Sequence, residues 1–286
     1  MSTPTDAVSA PQKARVQQHW ERETCGIRYA DELADRERFF AEIREARYGL
    51  EPYIPVFADF SSGKGRTLLE IGVGAGADFV QWVRAGARAR GVDLTEAGVA
   101  LTREHVQLAG FANADWEVRQ ADAEALPFDA DTFDLVYSWG VLHHTPDTRQ
   151  AFAEALRVLK PGGELRAMIY RLPSWSGWML KAQHGWLRGR FGLTAREAIF
   201  EHLESPGTKA YTEPEARALL EAVGFGDITL SAQLGPADVL SIRPSEKYRS
   251  PLFRLIWALY PRWLVRALGN RFGLCLLIRA RKPVLA

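Results

Sequence analysis

One stretch constrains this chain more than any other: Leu68-Leu69-Glu70-Ile71-Gly72-Val73-Gly74-Ala75-Gly76-Ala77-Asp78-Phe79. A short apolar run breaks at the alternating glycines 72, 74 and 76, and a helical pattern begins at Asp78. A buried strand, a tight turn and a helix start are written this way. Glycine lets the backbone turn sharply and approach a ligand where a Cβ would clash. Amides at the helix start then point at whatever lies over the turn. The spacing Gly72-x-Gly74-x-x-Ala77 also satisfies the dinucleotide-binding fingerprint, so the glycines alone leave the ligand open.

Beyond this turn, strand and helix patterns alternate, which argues for a parallel sheet. Strands are expected at Thr67–Ile71, 89–94, Trp116–Gln120, 133–138, 164–170, 227–234 and 272–281. Helices are expected at 77–85 and through Val99, Leu101, Val106 and Leu108. Asp147-x-x-Gln150 reads as a capping box that opens a helix with Phe152, Leu156 and Leu159 on one face, ended by Pro161-Gly162-Gly163. Another helix starts at Tyr211-Thr212-Glu213-Pro214-Glu215 and stops at Gly224.

Composition excludes some classes. With 36 basic against 35 acidic residues, nothing marks a general nucleic-acid binder. Cys25 and Cys275 lie far apart without metal-ligand spacing, so reduced thiols and a cytoplasmic location are expected. Residues 1–14 are polar, read as a disordered tail and neither signal peptide nor membrane span. Residues 15–60 read as a helical cap, with Asp31 capping a helix whose stripe is Leu33, Phe39, Phe40 and Ile43. The remainder, 61–286, reads as one domain with insertions at about 171–210 and 236–271.

Five motifs follow in order: the glycine turn, Gly91-Val92-Asp93-Leu94-Thr95, Ala121-Asp122-Ala123-Glu124-Ala125-Leu126-Pro127-Phe128, Phe133-Asp134-Leu135-Val136-Tyr137-Ser138, and Arg157-Val158-Leu159-Lys160-Pro161-Gly162-Gly163. Together they resemble the class I S-adenosylmethionine (SAM) dependent methyltransferases, in the group that includes small-molecule and quinone methylating enzymes. The resemblance covers residues 66–170 closely, and 211–225 and the last strand more loosely. It implies an α/β fold: a Rossmann-like, doubly wound, seven-stranded sheet, mostly parallel with an antiparallel last strand beside the fifth. It also implies SAM as cofactor, S-adenosylhomocysteine as product and no metal. Gly72, Gly74 and Gly76 would underlie the amino-acid and sugar portions, and Glu70 would suit a cationic ligand. A carboxylate there suits a pyrophosphate poorly, because like charges repel in a low-dielectric cleft. Asp93, with Leu94, would take the ribose hydroxyls, a role shared with NAD folds. Asp122 would receive the adenine amino group and the Ala123 amide a ring nitrogen, although an Asp in a loop also commonly fixes its own turn. The backbone of Ser138, Trp139 and Gly140 would line the methionine side.

A sulfonium methyl is already activated, so the protein must chiefly orient the nucleophile. His143 and His144, after the fourth strand, are the candidate bases, since histidine changes protonation near neutral pH. Bracing of the loop is the alternative for either ring. Tyr29, Tyr170, Trp175 and Tyr211 are candidate acceptor-binding residues, and His19, His184 and His202 read as packing or surface. Trp175, Trp178, Trp186 and Phe191, with Lys181, Arg188 and Arg190, could form an aromatic wall or an anion clamp, or ordinary core with solvated charges. Residues 252–260 are too short to span a bilayer, but with Arg254, Arg262 and Arg266 they fit peripheral membrane contact. The expected partner is a small, partly hydrophobic methyl acceptor and not a nucleic acid, since no base-flipping motif follows the fourth strand. The rivals are an NAD(P)-linked oxidoreductase and a non-catalytic binding protein on the same fold.

Overall fold

A computed structural model of the protein describes residues 4–22, 27, 30, 35–205, 207–241 and 260–284. Its strands are β1 (Thr67–Ile71), β2 (Arg88–Asp93), β3 (Trp116–Gln120), β4 (Phe133–Trp139), β5 (Leu159–Tyr170), β6 (Gly226–Gln233) and β7 (Cys275–Arg281). They form a seven-stranded sheet in the order β3-β2-β1-β4-β5-β7-β6. Strands β1 to β5 pair in parallel, and β7 lies antiparallel between β5 and β6. The expected doubly wound sheet with its antiparallel last strand is therefore the one observed. Chain order reverses at β1 and β4, and such a switch point opens a crevice beyond the carboxyl ends of the strands.

The central strands read as apolar runs because both sheet faces are covered. Alternate side chains leave on opposite faces. Leu68, Ala89 and Leu135 join Phe79, Trp82 and Val118 in one cluster, while Leu69, Val92 and Val136 join Phe152, Leu165 and Ile278 in the other. The helices are α1 (Pro4–Arg22), α2 (Arg36–Leu50), α3 (Ile54–Ala58), α4 (Ala77–Arg84), α5 (Glu96–Leu108), α6 (Thr148–Val158), α7 (Trp175–His184), α8 (Ala195–His202), α9 (Glu213–Val223) and α10 (Arg262–Ala267). No helix among the described residues is long and apolar enough to cross a membrane.

Three local expectations need correcting. The stretch read as a disordered tail is helical from Pro4, because α1 docks through Val16, buried to 4 % exposure, and through ion pairs of Lys13. Tertiary contact of this kind supplies what a polar sequence does not advertise. The cap of α2 is Asp35, whose side chain accepts from the Arg38 amide; Asp31 lies outside the described residues. Finally, α6 ends at Val158 and Pro161-Gly162-Gly163 falls inside β5, where the register against β4 shifts between Phe133 and Leu135. The cap at Asp147 forms, but Gln150 turns its amide to the Glu124 carbonyl at 3.2 Å instead of closing the box. By contrast α9 has the full capping box, Thr212 with Glu215, and ends on Gly224 at φ 111°.

Candidate cofactor and acceptor site

The glycine turn sits at the switch point, between the end of β1 and the start of α4. Gly72, Gly74 and Gly76 all have positive φ (82°, 53° and 76°), a backbone region that disfavours a Cβ. At Gly72 a Cβ would also meet Val141 at 2.2 Å, and at Gly76 it would meet Thr102 at 3.0 Å. Packing against the protein's own loops, as well as approach to a ligand, therefore requires glycine at these positions. Thr102 donates its hydroxyl to the Gly74 carbonyl at 2.9 Å and braces the turn.

Beneath the turn lies a buried charge nest. Asp78, at 2 % exposure, accepts from Arg47 Nε (2.9 Å) and Nη2 (2.5 Å), from the Tyr48 hydroxyl (3.0 Å) and from the Tyr137 hydroxyl (2.8 Å). Glu70 is 3 % exposed, and its Oε2 has no hydrogen-bond partner among the described residues. Burial, reinforced by Asp78 and opposed by Arg47, holds the Glu70 carboxyl well above the usual range. Asp78 takes the one guanidinium, and Glu70, whose neutral form burial favours, would ionise beside a further positive charge. Buried charges are tolerated when paired, so a cationic ligand is what this donor set suits.

At the end of β2, Asp93 Oδ2 accepts from the Gly74 amide (2.9 Å), and Oδ1 accepts from the Thr95 amide (3.0 Å) and hydroxyl (2.7 Å). A carboxylate offers about four acceptor positions, so Asp93 keeps about one for a ribose hydroxyl. Leu94 offers its carbonyl to Gln120 at 3.0 Å and to Gln17 of α1 at 3.3 Å. Asp122 fixes its own turn through the Glu124 amide (2.9 Å), and Lys13 of α1 lies 2.5 Å from both the Asp122 and the Glu124 carboxylates. Burial works against the Lys13 ammonium, but these two acids hold its pKa above the ordinary value. One face of α1, at positions 13, 16, 17 and 20, thus lies along the crevice from Asp122 to His144, whose ring meets Trp20 edge-on at 5.5 Å.

The end of β4 forms the other wall. Ser138 donates to the Ile71 carbonyl at 3.1 Å, and Gly140, at φ 74°, donates its amide to the Met168 carbonyl at 3.1 Å. The Trp139 ring points into the core against Tyr53, Phe57 and Tyr137. His143 is fully buried, neither ring nitrogen has a hydrogen-bond partner among the described residues, and burial with His144 and Lys209 nearby pushes its pKa well down. Its ring centroid lies 4.2 Å from both His144 and Tyr170. His144 Nδ1 meets Ser205 Oγ at 2.9 Å and Thr208 Oγ1 at 3.1 Å, while Nε2 faces Glu204 Oε2 at 3.4 Å. Thr208 directs its own proton to the Ser205 carbonyl at 2.7 Å, while the Ser205 hydroxyl can either donate to Nδ1 or accept from it.

Comparison with known proteins agrees with this layout. Residues 69–167 match the family model described as a methyltransferase domain. Over that stretch the chain is similar to a methyltransferase domain, on a sheet of the order described above. Among curated relatives, the phthiotriol/phenolphthiotriol dimycocerosates methyltransferase of Mycobacterium leprae is 38 % identical over 35 % of this chain and 36 % of its own length. The ubiquinone/menaquinone biosynthesis C-methyltransferase of Geobacter sulfurreducens is 32 % identical over 48 % of this chain and 54 % of its own length. The matches thus span about a third to a half of those relatives. An S-adenosylmethionine dependent methyltransferase structure from Mesorhizobium loti shares the fold, with TM-score 0.54 and 22 % identity over 80 % of this chain and 97 % of that one.

Sequence reasoning missed Asp78, Arg47 and Glu204. Asp78 had a signal, an acid in the first turn of the helix that the third glycine opens, where the helix dipole favours negative charge. Arg47 and Glu204 reach the site only through tertiary contact, although Glu204 has a local mark in its left-handed backbone (φ 53°). Of the expected acceptor residues, Tyr170 joins the histidine pair and Tyr211 donates its amide to the Tyr170 carbonyl at 2.9 Å. Trp175 packs instead against Trp178 and Phe272, at 5.3 and 6.0 Å. Tyr29 and most of 252–260 lie outside the described residues.

Proposed function

We propose that this chain is a SAM-dependent methyltransferase that transfers a methyl group to O, N or C of a small, partly hydrophobic acceptor by direct displacement. The observation that carries the reading is Glu70: a buried carboxyl oxygen without a partner among the described residues, beneath a glycine turn, beside an Asp78–Arg47 pair that leaves it no counter-charge of its own. The ammonium of the cofactor fits that vacancy of charge, and the sulfonium supplies an already activated methyl group. A pyrophosphate would set its negative charge beside Glu70 and Asp78, which weighs against the NAD(P) alternative. Asp93 holds the ribose, and Asp122 with the Ala123 amide holds the adenine edge.

On the acceptor side, His144 Nε2 is the group to receive a proton from a phenol, enol or protonated amine. The imidazolium so formed pairs with Glu204 at 3.4 Å while Ser205 and Thr208 fix the other nitrogen. General-base help of this type is worth about 10²–10⁴-fold. His143, buried and held neutral, packs between His144 and Tyr170. The relatives named above act, by their names, on phthiotriol and phenolphthiotriol dimycocerosates and in ubiquinone and menaquinone biosynthesis, which supports a partly hydrophobic acceptor. A cytoplasmic location belongs to the same proposal, since Cys275 is a buried free thiol. The test is transfer of a labelled methyl group from SAM to a panel of phenols and quinols. Product that disappears in His144→Ala while S-adenosylhomocysteine still binds supports the reading, and transfer undiminished in that variant removes His144 from the chemistry.

A further inference from the structure

The insertion between β5 and α9 ends in an exposed tip. After α7, a short 3-10 turn, Trp186–Arg188, has no buried residue, and every residue from 186 to 192 is exposed. Trp186 is 54 % exposed, Leu187 75 % and Phe191 73 %. On α10, Val265 is buried while Trp263 is 73 % exposed. The tip and α10 are joined through their flanks: Trp178 of α7 packs on Phe272 at 5.0 Å, and Asp238 accepts from Ser176 of α7 and from the Leu274 amide. Monomeric proteins seldom leave large aromatic and aliphatic side chains this open without a use for them.

Charge says what the use is. The chain as a whole is balanced, at net +1, yet no acidic residue occurs between Arg171 and Glu197 or after Glu246. Lys181 holds its ammonium 5.5 Å over the Trp186 ring, and Arg188, Arg266 and Arg271 are exposed beside the apolar groups. Arg190 is offset by its pairing with Glu201 at 3.1 Å. Tryptophan and leucine at a tip that carries Lys181 and Arg188 on one side, with Glu197 and Glu201 confined to the Arg190 side, match the interfacial layer of an anionic bilayer, where indole rings sit at headgroup level and basic side chains meet lipid phosphates.

We propose that the α7 tip and α10 form a peripheral docking surface for anionic lipid bilayers. This deepens the methyltransferase reading, on which its acceptor consequence rests. The chain from this tip returns along α8 to Glu204 and Ser205 beside His144, so a lipid-dissolved acceptor would be presented next to the proposed base.

The test is flotation of the full chain with vesicles of phosphatidylcholine alone and of phosphatidylcholine with phosphatidylglycerol in equal parts. Binding is expected only to the anionic vesicles, weakening as salt is raised. Trp186→Ser combined with Phe191→Ser should lower it by about tenfold or more, and Arg188→Ala by about fivefold. Trp263→Ser provides an independent variant on α10. S-adenosylhomocysteine affinity is measured on every variant and should not change, which shows that each folds and keeps the cofactor question separate from the lipid one. Absence of anionic-vesicle binding by the wild type would overturn the proposal, as would binding that all three variants retain. A self-association seen by light scattering that the same substitutions abolish, without vesicle binding, would assign the surface to a second copy of the chain instead.

Discussion

The two walls of the crevice are built on different principles. On the β1–β3 side, acids are held mainly by nearby backbone: Asp93 by Gly74 and Thr95, and Asp122 by Glu124. On the β4 side, the groups that matter come from far apart in sequence: His144 meets Ser205, Thr208 and Glu204, and Trp20 arrives from the other end of the chain. The first wall is a motif and the second is an assembly. A motif can hold a constant ligand, whereas an assembly of distant loops can change its occupant by changing an insertion.

Breaking the first wall should have the largest effect on cofactor binding. Asp93→Ala removes a ribose acceptor and strands the Gly74 and Thr95 amides, so S-adenosylhomocysteine affinity should fall by about a hundredfold by calorimetry, a loss of about 2–3 kcal/mol. An affinity within threefold of wild type would show that Asp93 serves only the turn. The second wall should respond in the opposite way. His144→Ala should cut turnover by about a hundredfold and Glu204→Gln by about tenfold, with S-adenosylhomocysteine affinity unchanged in both. Loss of affinity in either variant would erase the proposed division.

Glu70→Gln sharpens the comparison because its two effects have opposite signs. Burial holds the folded-state pKa of Glu70 well above the ordinary value of 4.5, so ionisation at neutral pH costs the ligand-free protein stability. The contribution is fully present below pH about 4.5 and is lost as pH rises toward the folded-state value. The amide variant should therefore melt a few degrees higher than wild type at pH 7, with the gain vanishing in acid, while binding S-adenosylhomocysteine about tenfold more weakly. A variant that melts lower and binds normally would make Glu70 structural. The smallest effect belongs to Lys13. Asp122→Ala should weaken the ligand by about tenfold, whereas Lys13→Ala, which breaks a partly exposed pair, should strengthen it by no more than about fivefold. If Lys13→Ala weakens binding as much as Asp122→Ala does, α1 closes over the ligand and does not compete with it.

The same contrast explains what could be read in the sequence. The order of the central elements and the boundaries of β1 and β3 follow from local rules about turns and periodicity, the positive φ of Gly72 and Gly76 from the tight turn, and the antiparallel β7 from the family resemblance. The helix of α1 did not, because its polar sequence gains its apolar and ionic partners only on docking at Val16 and Lys13. The Pro161-Gly162-Gly163 segment misled for the opposite reason: it reads as a helix stop, but a register shift against β4 draws it into the sheet. Arg47 and Glu204 carry no motif of their own, and only folding brings them to Asp78 and His144.

The central claim is that the crevice over Glu70 and the glycine turn takes the cationic nucleoside of a methyltransferase. Calorimetric titration of the full chain with S-adenosylhomocysteine, with NADH as the control, tests it most directly. The structure predicts binding of S-adenosylhomocysteine, weakened in Glu70→Gln, and no heat from NADH. Binding of NADH alone would contradict it.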